Sequence, residues 1–191
     1  MKHYEPKDVR NIGLLAHGGA GKTTLGEAFL FNAKATTRLC KVDDGNSNLD
    51  FEPEEIRRRS TISTSLATIE WKKRRITLVD MPGDFNFFTD TRNCIFAVDA
   101  GVVVVSAVDG VEVGTEKVWE LLEEKKLPRA IFVNKLDRER ADFTKTLADI
   151  RESLSPTVVP LTLPIGAEAN FGGIIDLLEN KALFFEKDGS S

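Results

Sequence analysis

A glycine-rich segment carries the residues best suited to chemistry. It reads Ala16-His17-Gly18-Gly19-Ala20-Gly21-Lys22-Thr23-Thr24, which fits the phosphate loop G-x-x-x-x-G-K-[ST] except that Ala16 fills the first glycine position. Small residues let backbone N–H groups surround a phosphate, and a following helix adds positive partial charge. Lys22 would bring a point charge to the β- and γ-phosphates, and Thr23 would offer a hydroxyl to Mg²⁺. The segment predicts a nucleotide-phosphate site, with a chance glycine-rich turn as the alternative.

Two further motifs follow, each at the end of a predicted strand. In Asp80-Met81-Pro82-Gly83, the carboxylate could hold Mg²⁺ through water and the glycine N–H could reach a γ-phosphate. In Asn134-Lys135-Leu136-Asp137, the last carboxylate could accept hydrogen bonds from both guanine N1–H and N2–H₂, a donor pair that adenine lacks. Alone, each tetrapeptide could be an ordinary turn. Their order after the phosphate loop favours a guanine-nucleotide site and disfavours an ATPase.

The elements that must position these motifs alternate between strands and helices. The sequence predicts strands at 11–16, 62–71, 76–81, 101–108, 129–134, 158–165 and 182–185. It predicts helices from Lys22 and at 86–98, 114–126, 142–153 and 173–179, with a long polar loop at 36–60. Repeated strand–helix units indicate an α/β fold, a mostly parallel sheet with one antiparallel edge hairpin and helices on both faces. Ligands in such sheets bind at the carboxyl ends of the strands.

The composition argues against several classes of protein. With 41% hydrophobic and 29% charged residues, the chain has a globular balance rather than a disordered one. A net charge of −4 disfavours a cationic protein that coats DNA. Cys40 and Cys94 provide neither a disulfide framework nor a Cys-based zinc site. Because no apolar run approaches the ~20 residues that span a bilayer and no signal peptide is evident, we expect a cytoplasmic protein with neither membrane nor DNA as a partner.

The three motifs together resemble those of the translational GTPases, most closely the GTP-binding domain of elongation factor G and its G-like paralogues. The resemblance covers residues 11–186, and its carriers are Ala16-His17, Gly21-Lys22-Thr23-Thr24, Asp80-x-Pro82-Gly83, Asp109-Gly110-Val111 and Asn134-Lys135-Leu136-Asp137-Arg138. It implies a P-loop NTPase fold and a Mg²⁺-dependent GTPase with GTP and GDP as ligands. It also implies that the full-length factor acts on the ribosome, as a conformational switch in translation elongation.

The resemblance assigns roles to single residues as well. The nucleotide-binding set would be His17, Gly18, Gly19, Ala20, Gly21, Lys22, Thr23, Thr24, Asp80, Gly83, Asn134, Lys135 and Asp137. The switch segment, Arg58-Arg59-Ser60-Thr61-Ile62, resembles the end of the family's switch I, so Thr61 would join Thr23 and Asp80 at Mg²⁺. Without the resemblance, Thr61 could equally be a strand threonine. Lys22, Thr61 and Asp84 would occupy the catalytic positions, and His17 would have a structural role beneath the loop.

Three departures from the family pattern bear on hydrolysis. Asp84 replaces the histidine that orients the attacking water, and at ~4 Å with an effective dielectric of about 20 it would repel a phosphate charge by about 4 kcal/mol. It must therefore point away, pair with a cation such as an arginine of the switch segment, or stay protonated. Gly18-Gly19 replaces an aliphatic residue and an aspartate, and Arg59 replaces a glycine. We expect weak intrinsic hydrolysis. The alternatives are a GTP-binding switch with little or no turnover, and a ribosomal protection or release-type factor.

The predicted organisation is a P-loop GTP-binding domain at 1–160, followed at 161–191 by the start of the subdomain that the family inserts. The family's fifth motif, which contacts guanine, does not occur after Asn134. We therefore expect that motif beyond residue 191, and a fold truncated before its last strand and helix.

Overall fold

The computed structural model describes residues 3–185 and contains two β-sheets. Residues 1–2, at the start of the predicted domain 1–160, and residues 186–191, at the end of the predicted subdomain 161–191, lie outside the described residues. One compact unit consists of the chain up to Val104 together with Val113–Phe132, and the other of Val105–Glu112 together with the chain from Val133 onward. This division differs from the boundary at residue 160 expected from the sequence, which stays a prediction.

The first sheet has five strands in the order β2-β3-β1-β4-β5. The strands are β1 (Val9–Leu15), β2 (Ser65–Trp71), β3 (Arg74–Asp80), β4 (Ala100–Ser106) and β5 (Arg129–Asn134). β1 runs parallel to β3 and β4, whereas β2 and β3 form the expected antiparallel hairpin. Leu14 lies opposite Asp80 in the β1–β3 register, so these two strands end at the same edge of the sheet. The predicted α/β class is confirmed.

Five α-helices occur in the described residues: α1 (Lys22–Asn32), α2 (Pro53–Arg58), α3 (Phe88–Cys94), α4 (Val113–Glu124) and α5 (Phe143–Ser153). α2 lies inside the predicted loop, because Pro53 suits the first helical position and Glu55 accepts a hydrogen bond from the N–H of Glu52 (3.2 Å). α3 is shorter than predicted, because single 3₁₀ turns at Phe85–Phe87 and Ile95–Ala97 flank it. No helix of the described residues is long and apolar enough to cross a bilayer.

The second sheet is antiparallel and lies in the second unit, with the order β6 (Thr162–Ile165), β7 (Gly173–Asp176), β8 (Lys181–Phe184). The predicted helix at 173–179 is wrong, because Ile174 pairs with Pro164 on one side and with Leu183 on the other. The backbone then turns, since the Asp176 carboxylate accepts hydrogen bonds from the N–H groups of Leu178 and Glu179 (2.8 and 3.0 Å). A short apolar run of β-branched residues therefore forms a strand here.

The core of the first unit packs α4 directly against the sheet. Val103 and Val104 of β4 are fully buried, as is Leu122 of α4. A Cβ atom at Gly101 would lie 2.7 Å from the Leu122 side chain, so only glycine allows the helix to approach this closely. This packing holds the end of α4 against the start of β4.

Candidate functional site

The glycine-rich segment forms the turn between β1 and α1. Gly19 (φ 81°) and Gly21 (φ 97°) have the left-handed backbone conformation that favours glycine, and Gly21 directly precedes α1. Lys22, only 6% exposed, begins the helix, whose first turn contains no acidic side chain. The unpaired N–H groups of a helix start beside a buried lysine suit an anion. The same turn and helix start contain the other predicted loop residues, Gly18, Ala20, Thr23 and Thr24.

Gly83 lies against the backbone of the phosphate loop. A Cβ atom at this position would be 2.8 Å from the carbonyl oxygen of His17 and 3.0 Å from that of Ala16. The preceding carbonyl, that of Pro82, accepts a hydrogen bond from the buried Thr91 hydroxyl (2.9 Å), which fixes the turn. The Asp-x-Pro-Gly motif therefore contacts the phosphate loop directly, and this contact requires glycine.

His17 is buried beneath the loop. Its Nδ1 atom lies 2.9 Å from the hydroxyl of Thr115, in the first turn of α4, and a Cβ at Gly114 would lie 3.1 Å from the His17 side chain. The imidazole is thus packed between the loop and α4. This position fits the structural role expected for His17 rather than that of a general base.

Two hydroxyls and a carboxylate gather next to Lys22. The Thr23 and Thr61 hydroxyl oxygens are 3.0 Å apart and buried. Asp80, at the end of β3, is 0% exposed, and neither carboxylate oxygen has a hydrogen-bond partner among residues 3–185. Burial raises the pKa of Asp80 from 3.8 to about 6, although the Lys22 charge and the nearby, poorly aligned Thr23 hydroxyl lower it.

This oxygen set fits a hard cation. Mg²⁺ prefers oxygen ligands, keeps several waters and is usually held by one or two carboxylates together with substrate phosphates. The unsatisfied carboxylate of Asp80 and the paired hydroxyls of Thr23 and Thr61 match that chemistry. Among residues 3–185, no group of three His, Cys, Asp or Glu side chains could hold a metal without such help. A metal here would depend on hydroxyls, water and a bound phosphate.

Asp84 is engaged in a local turn. Its Oδ1 accepts hydrogen bonds from the backbone N–H and the side-chain amide of Asn86, both at 2.8 Å, and it begins the 3₁₀ turn Phe85–Phe87. Amide donors, rather than an arginine, therefore hold this carboxylate. Arg57 and Arg58 form ion pairs with Glu54 (2.7 and 2.5 Å).

The third motif lies at the end of β5 in the second unit. The Asn134 carbonyl accepts the N–H of Ala107 (2.8 Å), and Lys135 (φ 62°) places its Nζ 3.4 Å from a carboxylate oxygen of Asp109. Asp137 follows with a side chain 66% exposed, 3.9 Å from Arg138. An exposed carboxylate on a turn with a fixed backbone can accept two donors from a planar base.

Comparison with known proteins decides the family. The elongation factor Tu GTP binding domain matches residues 7–186, most of the chain. The chain belongs to this family. Among its relatives, elongation factor G 2 of Borreliella burgdorferi is 39% identical over 180 residues, covering 94% of this chain and 27% of that protein. Elongation factor G of Granulibacter bethesdensis is 39% identical over 178 residues, covering 93% and 26%.

A solved structure supports the same family. The crystal structure of a protein from Thermus thermophilus matches with a TM-score of 0.87 and 38% identity, over 93% of this chain and 27% of that one. The expected resemblance to elongation factor G and the P-loop NTPase fold are confirmed. The chain spans about a quarter of the length of these relatives.

Asp50 is a buried carboxylate of this GTP-binding family member that no sequence motif singles out. Asp50 is 3% exposed, and neither of its carboxylate oxygens has a hydrogen-bond partner within the described part of the chain. Burial raises the pKa of the Asp50 carboxyl above 3.8. The nearby Thr61 hydroxyl, which lacks good hydrogen-bond geometry, lowers this pKa, as does the Lys22 charge. Asp50 therefore belongs with Asp80 and the two threonines. Its only sequence signal was its position in a long polar loop before Pro53.

Proposed function

We propose that the chain is the GTP-binding domain of an elongation factor G-like translation factor. It would bind GTP and GDP with Mg²⁺, and hydrolyse GTP to GDP and phosphate as a ribosome-dependent switch in elongation. The observation that carries the proposal is the buried group of Lys22, Thr23, Thr61 and Asp80 at the start of α1. Membership of the GTP-binding family supports the choice of nucleotide. The cytoplasmic location stays a prediction.

Each residue of this group has a definable task. The N–H groups at the start of α1 and the Lys22 ammonium would bind the phosphates, because both carry positive charge in a buried setting. Thr23, Thr61 and, through water, Asp80 would hold Mg²⁺, which when bound neutralises charge on the phosphates. We place Asp50 in the same set, since its buried carboxylate lacks a partner in the described chain. Gly83 would direct its N–H toward the γ-phosphate.

Guanine selection would rest on Asn134, Lys135 and Asp137. Calorimetry on the complete factor with GTP, GDP, ATP and XTP tests this, with Asp137→Asn as the variant and Glu139→Gln, an exposed carboxylate of the same loop, as its matched control. We expect Asp137→Asn to lose GTP affinity by about 100-fold and to favour XTP, because two hydrogen bonds to a charged acceptor are lost. Equal binding of ATP and GTP by the wild type would refute the proposal.

A second candidate function is a GTP-binding switch with little hydrolysis, which Asp84 favours. This carboxylate caps a turn at the position where the family has a catalytic histidine. Single-turnover hydrolysis by the complete factor and by Asp84→His, with and without ribosomes, separates the two candidates. A missing acid–base group costs about 10²–10⁴ in rate, so the variant should be faster by that range with ribosomes. Equal rates in every condition would show that Asp84 does not limit turnover. A ribosomal protection or release-type factor stays a third candidate.

A further inference from the structure

Glu27 is a buried carboxylate that the proposed nucleotide site does not use. It lies on α1, one helical turn after Thr23, and is 0% exposed. Its Oε1 accepts hydrogen bonds from the Ser47 hydroxyl (2.7 Å) and from the N–H groups of Asn48 (2.5 Å) and Leu49 (3.2 Å). Its Oε2 accepts one from the Asn48 side-chain amide (2.8 Å). Every one of these donors belongs to segment 47–50 of the long polar loop.

A relay of hydrogen bonds continues from Glu27 to Asp50. The Ser47 hydroxyl, which donates to Glu27, accepts the N–H groups of Leu49 and Asp50, both at 3.1 Å. One serine oxygen therefore connects the Glu27 carboxylate to the backbone of Asp50. The Asp50 carboxylate is buried without a hydrogen-bond partner in residues 3–185, so the hydrogen bond that ties this residue to Ser47 is made by its backbone. Its position depends on its backbone.

Apolar packing also holds segment 47–50 against α1. Leu49 is fully buried in a cluster with Leu30, Ile69 and Leu78. A Cβ atom at Gly26, the neighbour of Glu27, would lie 2.5 Å from Leu49 Cδ1. Segment 47–50 is thus attached to α1 by a hydrogen-bonded carboxylate and by a leucine in close contact.

The other end of the loop has its own carboxylate. Glu55 is buried and accepts the N–H groups of Ile62 (2.9 Å) and Ser63 (3.1 Å), directly after Thr61. Asp50 and Thr61 are therefore each placed by a glutamate that contacts backbone N–H groups near it. Glu55 lies inside the loop itself, whereas Glu27 lies on the helix that begins at Lys22.

We infer that Glu27 is a positioning residue, which holds Asp50 beside Thr23 and Thr61 so that Mg²⁺ can strengthen nucleotide binding. The inference rests on the proposed function. The hydrogen bonds of the Glu27 carboxylate go to segment 47–50, and Glu27 acts on Asp50 through Ser47 and the backbone of that segment. A purely structural Glu27 would stabilise the fold without affecting the response to magnesium.

The test measures the magnesium gain, defined as the ratio of the GDP dissociation constants in EDTA and in excess Mg²⁺. The complete factor is compared with Glu27→Ala, Glu27→Gln, Ser47→Ala, Asp50→Asn and the double variant Glu27→Ala/Asp50→Asn. Asn32→Ala, an exposed position at the end of α1, is the matched control. Amide hydrogen exchange of segment 47–50 in EDTA is the second readout, and it needs neither metal nor nucleotide.

We expect Glu27→Ala to lower the magnesium gain at least tenfold while the EDTA dissociation constant changes less than threefold. Glu27→Gln keeps the Oε1 contacts and should retain most of the gain, whereas Ser47→Ala should lose part of it. The double variant should lose no more than Asp50→Asn alone, because both changes affect one carboxylate. Exchange of the Asp50 amide should accelerate in Glu27→Ala and Ser47→Ala, and stay unchanged in Asn32→Ala.

Two results would overturn the inference in distinguishable ways. Glu27 would be only a structural residue if Glu27→Ala and Ser47→Ala kept the magnesium gain of the wild type. The same would follow if their dissociation constants for GDP rose equally with and without Mg²⁺. A wild-type factor without any magnesium gain would remove the proposed metal site, and this inference with it. If Glu27→Ala fails to fold, Glu27→Gln and Ser47→Ala decide the question by the same ratio.

Discussion

The hydroxyl oxygens of Thr23 and Thr61 lie 3.0 Å apart and are buried, although the two residues are 38 positions apart in the chain. Thr23 belongs to the first turn of α1, and Thr61 follows α2 in the switch segment. Two hydroxyls at this distance share one hydrogen bond, and both can instead face a single hard cation. The pair therefore connects the phosphate loop to the switch segment at the point where a metal would bind.

Thr61→Val tests the proposed role of Thr61 at Mg²⁺. Valine keeps the shape of the side chain and removes the hydroxyl, so one ligand to a charged group is lost. We expect the affinity for GTP in Mg²⁺ to fall about 10- to 100-fold, the range of one hydrogen bond to a charged group, while the affinity for GTP in EDTA changes little. Fluorescence titration in Mg²⁺ and in EDTA measures this, with the exposed Ser63→Ala as the control. An equal loss in Mg²⁺ and in EDTA would contradict the assignment.

Gly83→Ala tests the contact between the Asp-x-Pro-Gly motif and the phosphate loop. The new methyl group would meet the His17 carbonyl oxygen at 2.8 Å, so the backbone must move. We expect the free energy of unfolding without nucleotide to fall by about 1–3 kcal/mol, as for other overpacked sites. Gly18→Ala is the control, because its nearest atom is 3.9 Å away. Urea denaturation that shows equal stability for both variants would rule out the close approach.

Local chemistry explains which parts of the fold and site could be predicted from the sequence. Gly21-Lys22-Thr23 is sufficient to indicate the phosphate loop, because small residues and a lysine at a helix start act within a few positions. Glu27 and Asp50 could not be found in this way, since their roles depend on hydrogen bonds across some twenty positions of an aperiodic loop. A short apolar run such as Ile174-Ile175 does not define a period, so the sequence predicts a helix there and only the pairing with β6 and β8 reveals a strand.

Arg59→Gly tests the cost of one departure from the family pattern. Arg59 ends α2 in the left-handed conformation (φ 54°, ψ 42°), where glycine avoids the Cβ clash. We expect the substitution to raise the free energy of unfolding by about 1 kcal/mol. Arg58→Gly, one residue earlier in the helix, should lower it by about 1 kcal/mol, because glycine is a poor helix residue. Urea denaturation compares the two, and a loss of stability in both would show that the Arg59 backbone is not strained.

Asp80→Asn tests the buried carboxylate in the metal-free protein. Because the pKa of Asp80 is about 6 in the folded protein and 3.8 ordinarily, its ionisation opposes folding. That penalty is absent below pH 3.8 and is complete above pH 6, so stability falls as pH rises through this window. In EDTA, Asp80→Asn should lose less stability than the wild type between about pH 5 and pH 7.5, by about 1 kcal/mol.

With Mg²⁺ and GTP, Asp80→Asn should instead be less stable than the wild type, because the variant cannot hold the metal through a carboxylate. Chemical denaturation at the two pH values, with the exposed Glu120→Gln as control, measures the difference. Equal pH slopes for wild type and Asp80→Asn would show that this carboxylate is not ionising at a cost.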